Sequence, residues 1–518
     1  MNYIKKSVYT GIVLSQLVFA PLSLSAPLTP KQIGALVEKA KDELNVPGVA
    51  LAVVKSGEVV HAKGYGVQSI ENNTPVTTDT LFQVASISKS FVTAALAKLV
   101  DENKLSWDDK VIDYLPQFQM YDPWVTREFT IRDLLTHRSG LPLGAGDLLQ
   151  WPDADAHATP DEIISALKYL KPTSSFRSEY AYNNLMYTVA EEVIRVITKM
   201  PWDQYVEKAL IAPLKMTHCV ANPTRIKIPS KRAKPHMEVD GKLKTTFFKD
   251  DELINCDIAG MAKWAQLFLS KGKLPDGQDL LSEKQHAEMW KPVTLKKVSY
   301  IDQKYAQTHF QAYGLGWNLM DFHGHLHVSH GGAVQGMTSH IAFLPEKDVA
   351  VIALTNQWSR AAQGLTATIL EHYIESEPTN YIDVYIEGNK RYEAYKKQQK
   401  KTEKPLHLST TKPPMALNQY AGTYQDNWYG TVDVTVIGSE LNIKFSRGNA
   451  LTGKLAHIEG NRFVAKWYDR TLNADAFVNF DVDFEGKIIG FKMKAVSRST
   501  DFSYNFHDLN LKKVNVQE

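Results

Sequence analysis

Apolar residues follow two rhythms along this chain, and the changes between them mark out its parts. Ile33, Leu36, Val37, Ala40 and Leu44 recur every three or four residues behind Thr29-Pro30, a capping residue and a first-turn proline. This predicts a helix, which Asn45-Val46-Pro47-Gly48 stops. Residues 49–54 and 59–65 are β-rich and divided by Lys55-Ser56-Gly57-Glu58, the pattern of a hairpin. Helical spacing returns with Ile87, Phe91, Ala94, Ala95 and Leu99.

Residues 101–214 read as mainly helical with long connections, including helical stretches at 160–169 and 185–197. A basic, loop-like stretch at 223–251 precedes an amphipathic helix at 258–269. From Tyr313 the pattern turns to strands, at 314–317, 325–329, 339–344 and 349–355. A helix beginning near Gln363 is expected to run into a lysine-rich, proline-punctuated linker at 389–414. Beyond it Val432, Val434 and Val436, then Leu441, Ile443 and Phe445, then Phe480, Val482 and Phe484 alternate as short strands. They predict a small all-β barrel or sandwich with an interior filled by side chains.

With 518 residues the chain has room for a large domain and a smaller one. Lys plus Arg (59) against Asp plus Glu (57) leaves no basic field for nucleic acid, so a small-molecule or peptide substrate is expected. Lys5-Lys6, an apolar run over 8–22 and the small residues Ser23, Ser25 and Ala26 have the form of a secretory signal peptide over 1–25. The run is short for a membrane span, so no stable membrane insertion is expected after cleavage, and the mature protein is expected to be secreted or periplasmic. Export permits Cys219 and Cys256 to bridge, although their spacing does not demand it.

The candidate chemistry centres on Ser86, at the mouth of a helix, with Lys89 three residues behind it on the same face. A serine hydroxyl becomes a nucleophile when a neighbour takes its proton, and unpaired N–H groups at a helix start can stabilise an oxyanion. The spacing alone is weak, because Ser165/Lys168, Ser270/Lys273 and Ser409/Lys412 repeat it. Tyr182-Asn183-Asn184 precedes a helix, where Asn184 could serve as a cap, and His330-Gly331-Gly332 lies within the strand meander. Ser139, in Ser-Gly-x-Pro, reads as turn chemistry. Strand alternation sets His323, His325 and His327 on one face and His330 on the other, with no carboxylate or cysteine spaced to complete a metal site. No metal or cofactor is assigned.

Ser86-Ile87-Ser88-Lys89, Tyr182-Asn183-Asn184 and His330-Gly331-Gly332, with residues 131–142, resemble the serine β-lactamase and penicillin-binding superfamily over roughly residues 29–371. The likeness is nearest to class C β-lactamases and their esterase and peptidase relatives. Tyr420-Ala421-Gly422-Thr423-Tyr424, Trp428-Tyr429-Gly430 and Asp501-Phe502-Ser503-Tyr504 look like the lipocalin-like barrel of some D-amino-acid-handling peptidases of that superfamily.

The resemblance implies a mixed α/β hydrolase domain at 28–385, an antiparallel sheet flanked by helices with an inserted helical lobe. A linker at 386–415 and a lipocalin-like barrel at 416–514 follow. It implies that Ser86 attacks an ester or amide carbonyl, possibly of a D-amino-acid peptide or lactam. Lys89 and Tyr182 share the proton relay, the ammonium favouring a phenolate base, and Asn184 holds Lys89 or the acyl side chain. The N–H groups of Ser86 and Ala333 form the oxyanion hole, with Gly331 and Gly332 letting the strand approach. Water then releases the acyl group. An alternative within the superfamily is a penicillin-binding receptor or cell-wall factor that is acylated with little turnover. Two positions depart from the β-lactamase pattern. His330 stands where Lys-Thr-Gly supplies a cation, and Gly144 stands where class C enzymes commonly carry a side-chain amide. Both departures favour an esterase or peptidase.

Overall fold

The N-terminal hairpin forms where the apolar runs place it. Gly48–Lys55 and Glu58–Gly66 pair antiparallel. Residues 49–54 are buried on both faces, which explains their unbroken apolar run. The computed structural model describes residues 27–151, 158–247, 253–375, 377–402 and 408–514. The leader-like residues 1–25 lie outside these. No helix among the described residues is long and apolar enough to cross a membrane.

The hairpin joins the later meander in one eight-stranded antiparallel sheet. Its order is Glu58–Gly66, Gly48–Lys55, Val349–Thr355, Met337–Leu344, His325–Val334, Asn318–Phe322, Gln311–Tyr313 and Thr294–Lys296. The first and last strands of the sheet in sequence are thereby brought side by side, with Val49 opposite Thr355 and Lys55 opposite Val349. One face carries Pro30–Glu43 and Ala361–Glu371 over a core of Val37, Leu51, Val351 and Leu365. The other packs on Ile258–Leu269 and the Ser88–Asp101 helix, which is buried almost all round, Phe91 stacking on Trp264 at a centroid distance of 3.7 Å. The helices between residues 101 and 214 form the lobe on the far side of that helix.

Several local expectations are corrected. Residues 314–317 are a turn closed by the Gly314 amide on the Trp317 carbonyl at 2.8 Å. The sheet gains the edge strand Thr294–Lys296, too short to show alternation. The stretch at 223–251 contains a hairpin, His236–Val239 with Lys242–Thr245. The helix near Gln363 stops at Glu371, and a separate helix, Tyr381–Thr402, runs into the stretch read as linker. Pro378 lies in the gap and cannot donate, and Asn380 restarts the helix by accepting the Ile382 amide at 3.1 Å.

The C-terminal strands close into an eight-stranded antiparallel barrel between Gly422 and Lys513. Its interior is filled, as the alternation implies. Tyr420, Phe463 and Phe480 meet at centroid distances of 5.0–5.6 Å, and Tyr424 meets Phe491 at 4.7 Å. Edge-to-face pairs of this kind add about 0.5–1.5 kcal/mol each beyond burial. The buried Trp467 donates its indole N–H to the Ala474 carbonyl at 2.6 Å.

Candidate active site

The turn that carries Ser86 is held from below. Phe82–Gln83 pairs with Asn255–Cys256, and Cys256 is bridged to Cys219, so the partner of the strand leading into the turn is covalently tied to the segment that follows the lobe. The Val84 amide donates to Ile254 at 2.9 Å, and Ser88 Oγ accepts the Ile254 amide at 3.1 Å. Ala85 then takes φ +50°, a left-handed conformation that costs a residue with Cβ about 1–2 kcal/mol. This bend, followed by a short 3-10 turn over Ala85–Ile87, sets Ser86 at the wall of a cavity of about 1000 Å³.

Lys89 is the second residue of the buried helix, its Nζ 3.3 Å from Ser86 Oγ and 2.8 Å from Asn184 Oδ1. Its amino group is flanked by the rings of Tyr182 and Tyr187, 5.0 and 5.2 Å from their centroids. Tyr182 also hydrogen-bonds Ser86 through its hydroxyl. Serine, lysine and tyrosine, separated by up to 96 positions in sequence, therefore meet in one cleft. The other Ser-x-x-Lys matches do not lie there. Ser270, for example, bonds the Leu267 and Lys273 carbonyls, and Lys273 pairs with Asp279.

The tyrosine's protonation differs from what the resemblance implies. Loss of water around the hydroxyl pushes the Tyr182 pKa well above that of a free phenol, the Ser86 hydrogen bond opposes this, and Asp147 adds to it. The resting phenol is protonated. Burial dominates because a phenolate loses its hydration here.

Asn184 precedes the helix Leu185–Thr198 and caps nothing. Its side chain instead links Lys89 to Asp147, donating to Asp147 Oδ2 at 2.9 Å. The same oxygen accepts from Ser503 Oγ at 2.9 Å, so the chain of bonds from Lys89 ends in the barrel domain. Phe502, beside it, meets Tyr182 edge-on at 6.3 Å. Gly144 has φ +68°, and a Cβ there would lie 2.6 Å from Phe502 Cδ2. The space vacated at Gly144 is taken by a barrel side chain.

On the sheet wall, Gly332 is required for close approach, since a Cβ would lie 2.2 Å from the Val84 carbonyl oxygen, directly before the Ser86 turn. Gly331 is not. Its Cβ would make only ordinary contacts at 3.5 Å and beyond, which corrects its expected part in that approach. Ala333 follows exposed in the cleft. His330 is buried and neutral, its pKa pulled down to about 3 by burial and then by the Lys89 charge. Its Nδ1 donates to the Gly331 carbonyl at 2.7 Å, which leaves Nε2 to accept from the Tyr313 hydroxyl at 2.9 Å. Both ring nitrogens are thus engaged away from Ser86.

Other expectations resolve locally. Ser139 Oγ accepts the Leu141 amide at 3.3 Å within its turn. His323 occupies the turn before the strand at φ +49° and faces Glu371, His325 faces Glu346, and His327 packs on Phe322, so these rings do not converge. Among the described residues the three ligand-type groups that do cluster are Cys219, Cys256 and Asp257, and the two sulfurs are bonded to each other.

Sequence reasoning missed Asp147, Lys296, Tyr313 and Ser503, all of which face the cleft or bond groups that do. It also missed His137, buried behind Tyr182 at a ring distance of 4.2 Å, whose Nδ1 accepts the Asn183 amide at 3.2 Å. Gly144 and Gly146 around Asp147 were the only local signal.

A sheet-and-lobe architecture with this cleft defines the penicillin-binding-protein fold class. A family model described as Beta-lactamase matches residues 33–374, and the chain belongs to that family. A second model, Domain of unknown function (DUF3471), matches residues 407–513, the barrel. Among curated proteins the chain is 29% identical over 420 residues to "Unguisins hydrolase ungD'" of Aspergillus campestris, covering 75% of this chain and 74% of that protein. It is 24% identical over 368 residues to "Protein flp" of Staphylococcus aureus, covering 68% and 69%. The octameric penicillin-binding protein homologue from Pyrococcus abyssi superposes with a TM-score of 0.56 at 20% identity, over 94% of this chain and all of that one (100%). The penicillin-binding protein from Bacillus halodurans gives 0.52 at 20% identity, over 63% of this chain and 95% of that one.

Proposed function

We propose that this member of the beta-lactamase family is an exported serine hydrolase that cleaves esters or amides, including small peptides, through an acyl-enzyme on Ser86. The observation that carries the reading is the meeting of Lys89 Nζ and the Tyr182 hydroxyl at Ser86 Oγ. Relatives named for the hydrolysis of unguisins support a hydrolase. The leader-like N-terminus and the Cys219–Cys256 disulfide support export to an oxidising compartment.

In this mechanism Ser86 Oγ attacks the carbonyl carbon and its proton passes to Lys89 in the amine form. Tyr182, protonated at rest, gives its proton to the leaving oxygen or nitrogen as the bond to carbon breaks, and recovers one from Lys89. Backbone N–H groups of Ser86 and Ala333 hold the developing oxyanion. Water then attacks the acyl carbon as its proton passes to the Lys89 amine, Tyr182 returns a proton to Ser86 Oγ as the acyl bond breaks, and the free acid leaves. Wild type is expected to hydrolyse nitrophenyl esters and to label with a fluorophosphonate, and Ser86→Ala to do neither. Turnover retained by Ser86→Ala overturns the reading.

A second reading, a penicillin-binding receptor or cell-wall factor, draws on the phenol being held protonated, which withholds the base that deacylation needs. A fluorescent penicillin adduct that persists for hours favours the receptor, and one lost within minutes favours the hydrolase.

A further inference from the structure

Asp147 lies in a turn that successive hydrogen bonds stitch to Tyr182-Asn183-Asn184. The Gly144 amide donates to the Tyr182 carbonyl at 2.9 Å, Asn183 Nδ2 to the Ala145 carbonyl at 2.9 Å, and Asn184 Nδ2 to Asp147 Oδ2 at 2.9 Å. Gly146, at φ +80°, lets the turn close in, since a Cβ there would lie 2.4 Å from Leu185 Cδ1. The carboxylate is buried, and Ser503 Oγ donates to the same oxygen. Burying a carboxylate is unfavourable, and no proton transfer at Ser86 uses this one.

The use lies in what it does to Asn184. An amide side chain accepts at its oxygen and donates at its NH2, so it has two ways to sit between neighbours. Here the oxygen faces Lys89 Nζ at 2.8 Å and the NH2 faces Asp147. To take the Ser86 proton across 3.3 Å, Lys89 must be an amine with its lone pair on Ser86 Oγ and its N–H groups turned elsewhere. An ammonium has donors only and would itself demand the amide oxygen, but an amine also accepts. Turned over, the Asn184 NH2 would donate to that lone pair and occupy the base. A carboxylate only accepts, so the turned-over amide would set its oxygen against Asp147 with no proton between them. We propose that Asp147 is a positioning residue for the Ser86 reaction, holding the Asn184 amide oxygen-first on Lys89 so that the amine's lone pair stays free for the Ser86 proton. The proposal rests on the hydrolase reading above.

Asp147→Asn keeps the side chain's size and an oxygen for Ser503 but adds a donor, so either orientation of Asn184 finds a partner. Per fluorophosphonate-reactive site, its kcat/KM for a nitrophenyl ester is expected to fall by about tenfold to a hundredfold, the loss falling on kcat rather than KM. The exchange variant Asp147→Asn/Asn184→Asp again puts an acceptor-only group on Lys89 with a donor behind it. The lone pair is released, but a carboxylate directly on Lys89 favours its ammonium, so activity should return only at higher pH, with the acid limb of kcat/KM moved up from that of wild type. The other titratable groups facing Lys89 do not make that limb. Burial holds Tyr182 and Tyr187 protonated and His137 and His330 neutral. Lys296, which burial lowers to about 8 against the pull of Asp302, is common to every variant.

A merely structural Asp147 would lower the labelled fraction and the thermal midpoint and leave the rate per labelled site unchanged, which overturns the proposal. So does an acid limb that keeps its wild-type position in the exchange variant, or no return of activity there at high pH, and that variant decides should Asp147→Asn fail to fold. A wild-type rate per labelled site in Asp147→Asn rejects the role of Asp147 alone, whereas no labelling in wild type rejects the hydrolase reading beneath it.

Discussion

The two interiors of this protein are built on opposite terms. The barrel closes on itself and fills its axis with Tyr420, Tyr424, Tyr429, Phe445, Phe463 and Trp467, whose few polar atoms are bonded internally. The hydrolase domain leaves a cavity of about 1000 Å³ and lines it with a serine, lysines, phenols and an imidazole. A filled aromatic interior contributes stability and offers no ligand a place. A cleft that keeps a lysine between tyrosine rings and a left-handed alanine before its serine carries strain and desolvation that the rest of the fold must offset. The barrel also reaches across to the cleft. Ser503 bonds Asp147 on the lobe wall, and the Thr471 carbonyl accepts from Gln335, two residues beyond Ala333, on the sheet wall. The packed domain thereby braces both sides of the hollow one.

One matched pair of substitutions should separate the two interiors most sharply. Lys89→Met is expected to lower kcat by about 10²–10⁴-fold, the range for removing a positioned acid or base, with little loss of thermal stability because an apolar chain replaces a buried amine. Trp467→Ala in the barrel should destabilise by about 3–5 kcal/mol through the cavity it opens, read as a fall in the denaturant midpoint of the barrel. Equal effects of both on melting temperature would dissolve the distinction.

Acid should part the domains next. Burial pulls His286 and His327 down to about 4 and His330 and His340 to about 3, and holds His137 low as well. In the unfolded chain these rings titrate near 6.5. The unfolded state therefore binds more protons between about pH 6.5 and 3, so this stability is complete above that window and is lost as pH falls through it. No buried ring of this kind lies in the barrel interior among the described residues. Acid unfolding followed by tryptophan fluorescence and amide exchange should take the hydrolase domain first. Loss of the barrel first would contradict the assignment.

The smallest effect tests the brace. Ser503→Ala removes one hydrogen bond to Asp147, and kcat/KM for a nitrophenyl ester is expected to fall by about threefold to tenfold while the barrel's midpoint stays in place. An unchanged rate would show that the Ser503 bond is not needed to keep Asp147 and Lys89 in position.

Local chemistry made much of this legible. The fold followed from apolar rhythm where runs were long, at the N-terminal hairpin, the Ser86 helix, the meander and the barrel. It failed where order came from contacts rather than rhythm. Thr294–Lys296 is a strand only because Gln311–Tyr313 pairs with it, and the helix ending at Glu371 yields to Pro378 and restarts on Asn380. Of the site, Ser86, Lys89, Tyr182 and Asn184 could be named because each lies in a short motif, and the structure brings these four together. Asp147, Lys296 and Ser503 carry no such signature, since a carboxylate, an amine or a hydroxyl becomes part of a site only through what faces it.

By itself the sequence determined which residues could do chemistry and which stretches must be buried, because side-chain type and periodicity are properties of neighbours along the chain. Tertiary structure alone decided the protonated state of Tyr182, the neutral and occupied ring of His330, the cation at Lys296 and the entry of Phe502 beside Gly144. Hydration, field and occupied volume are set by groups distant in sequence, and they exist only once the chain has closed around them.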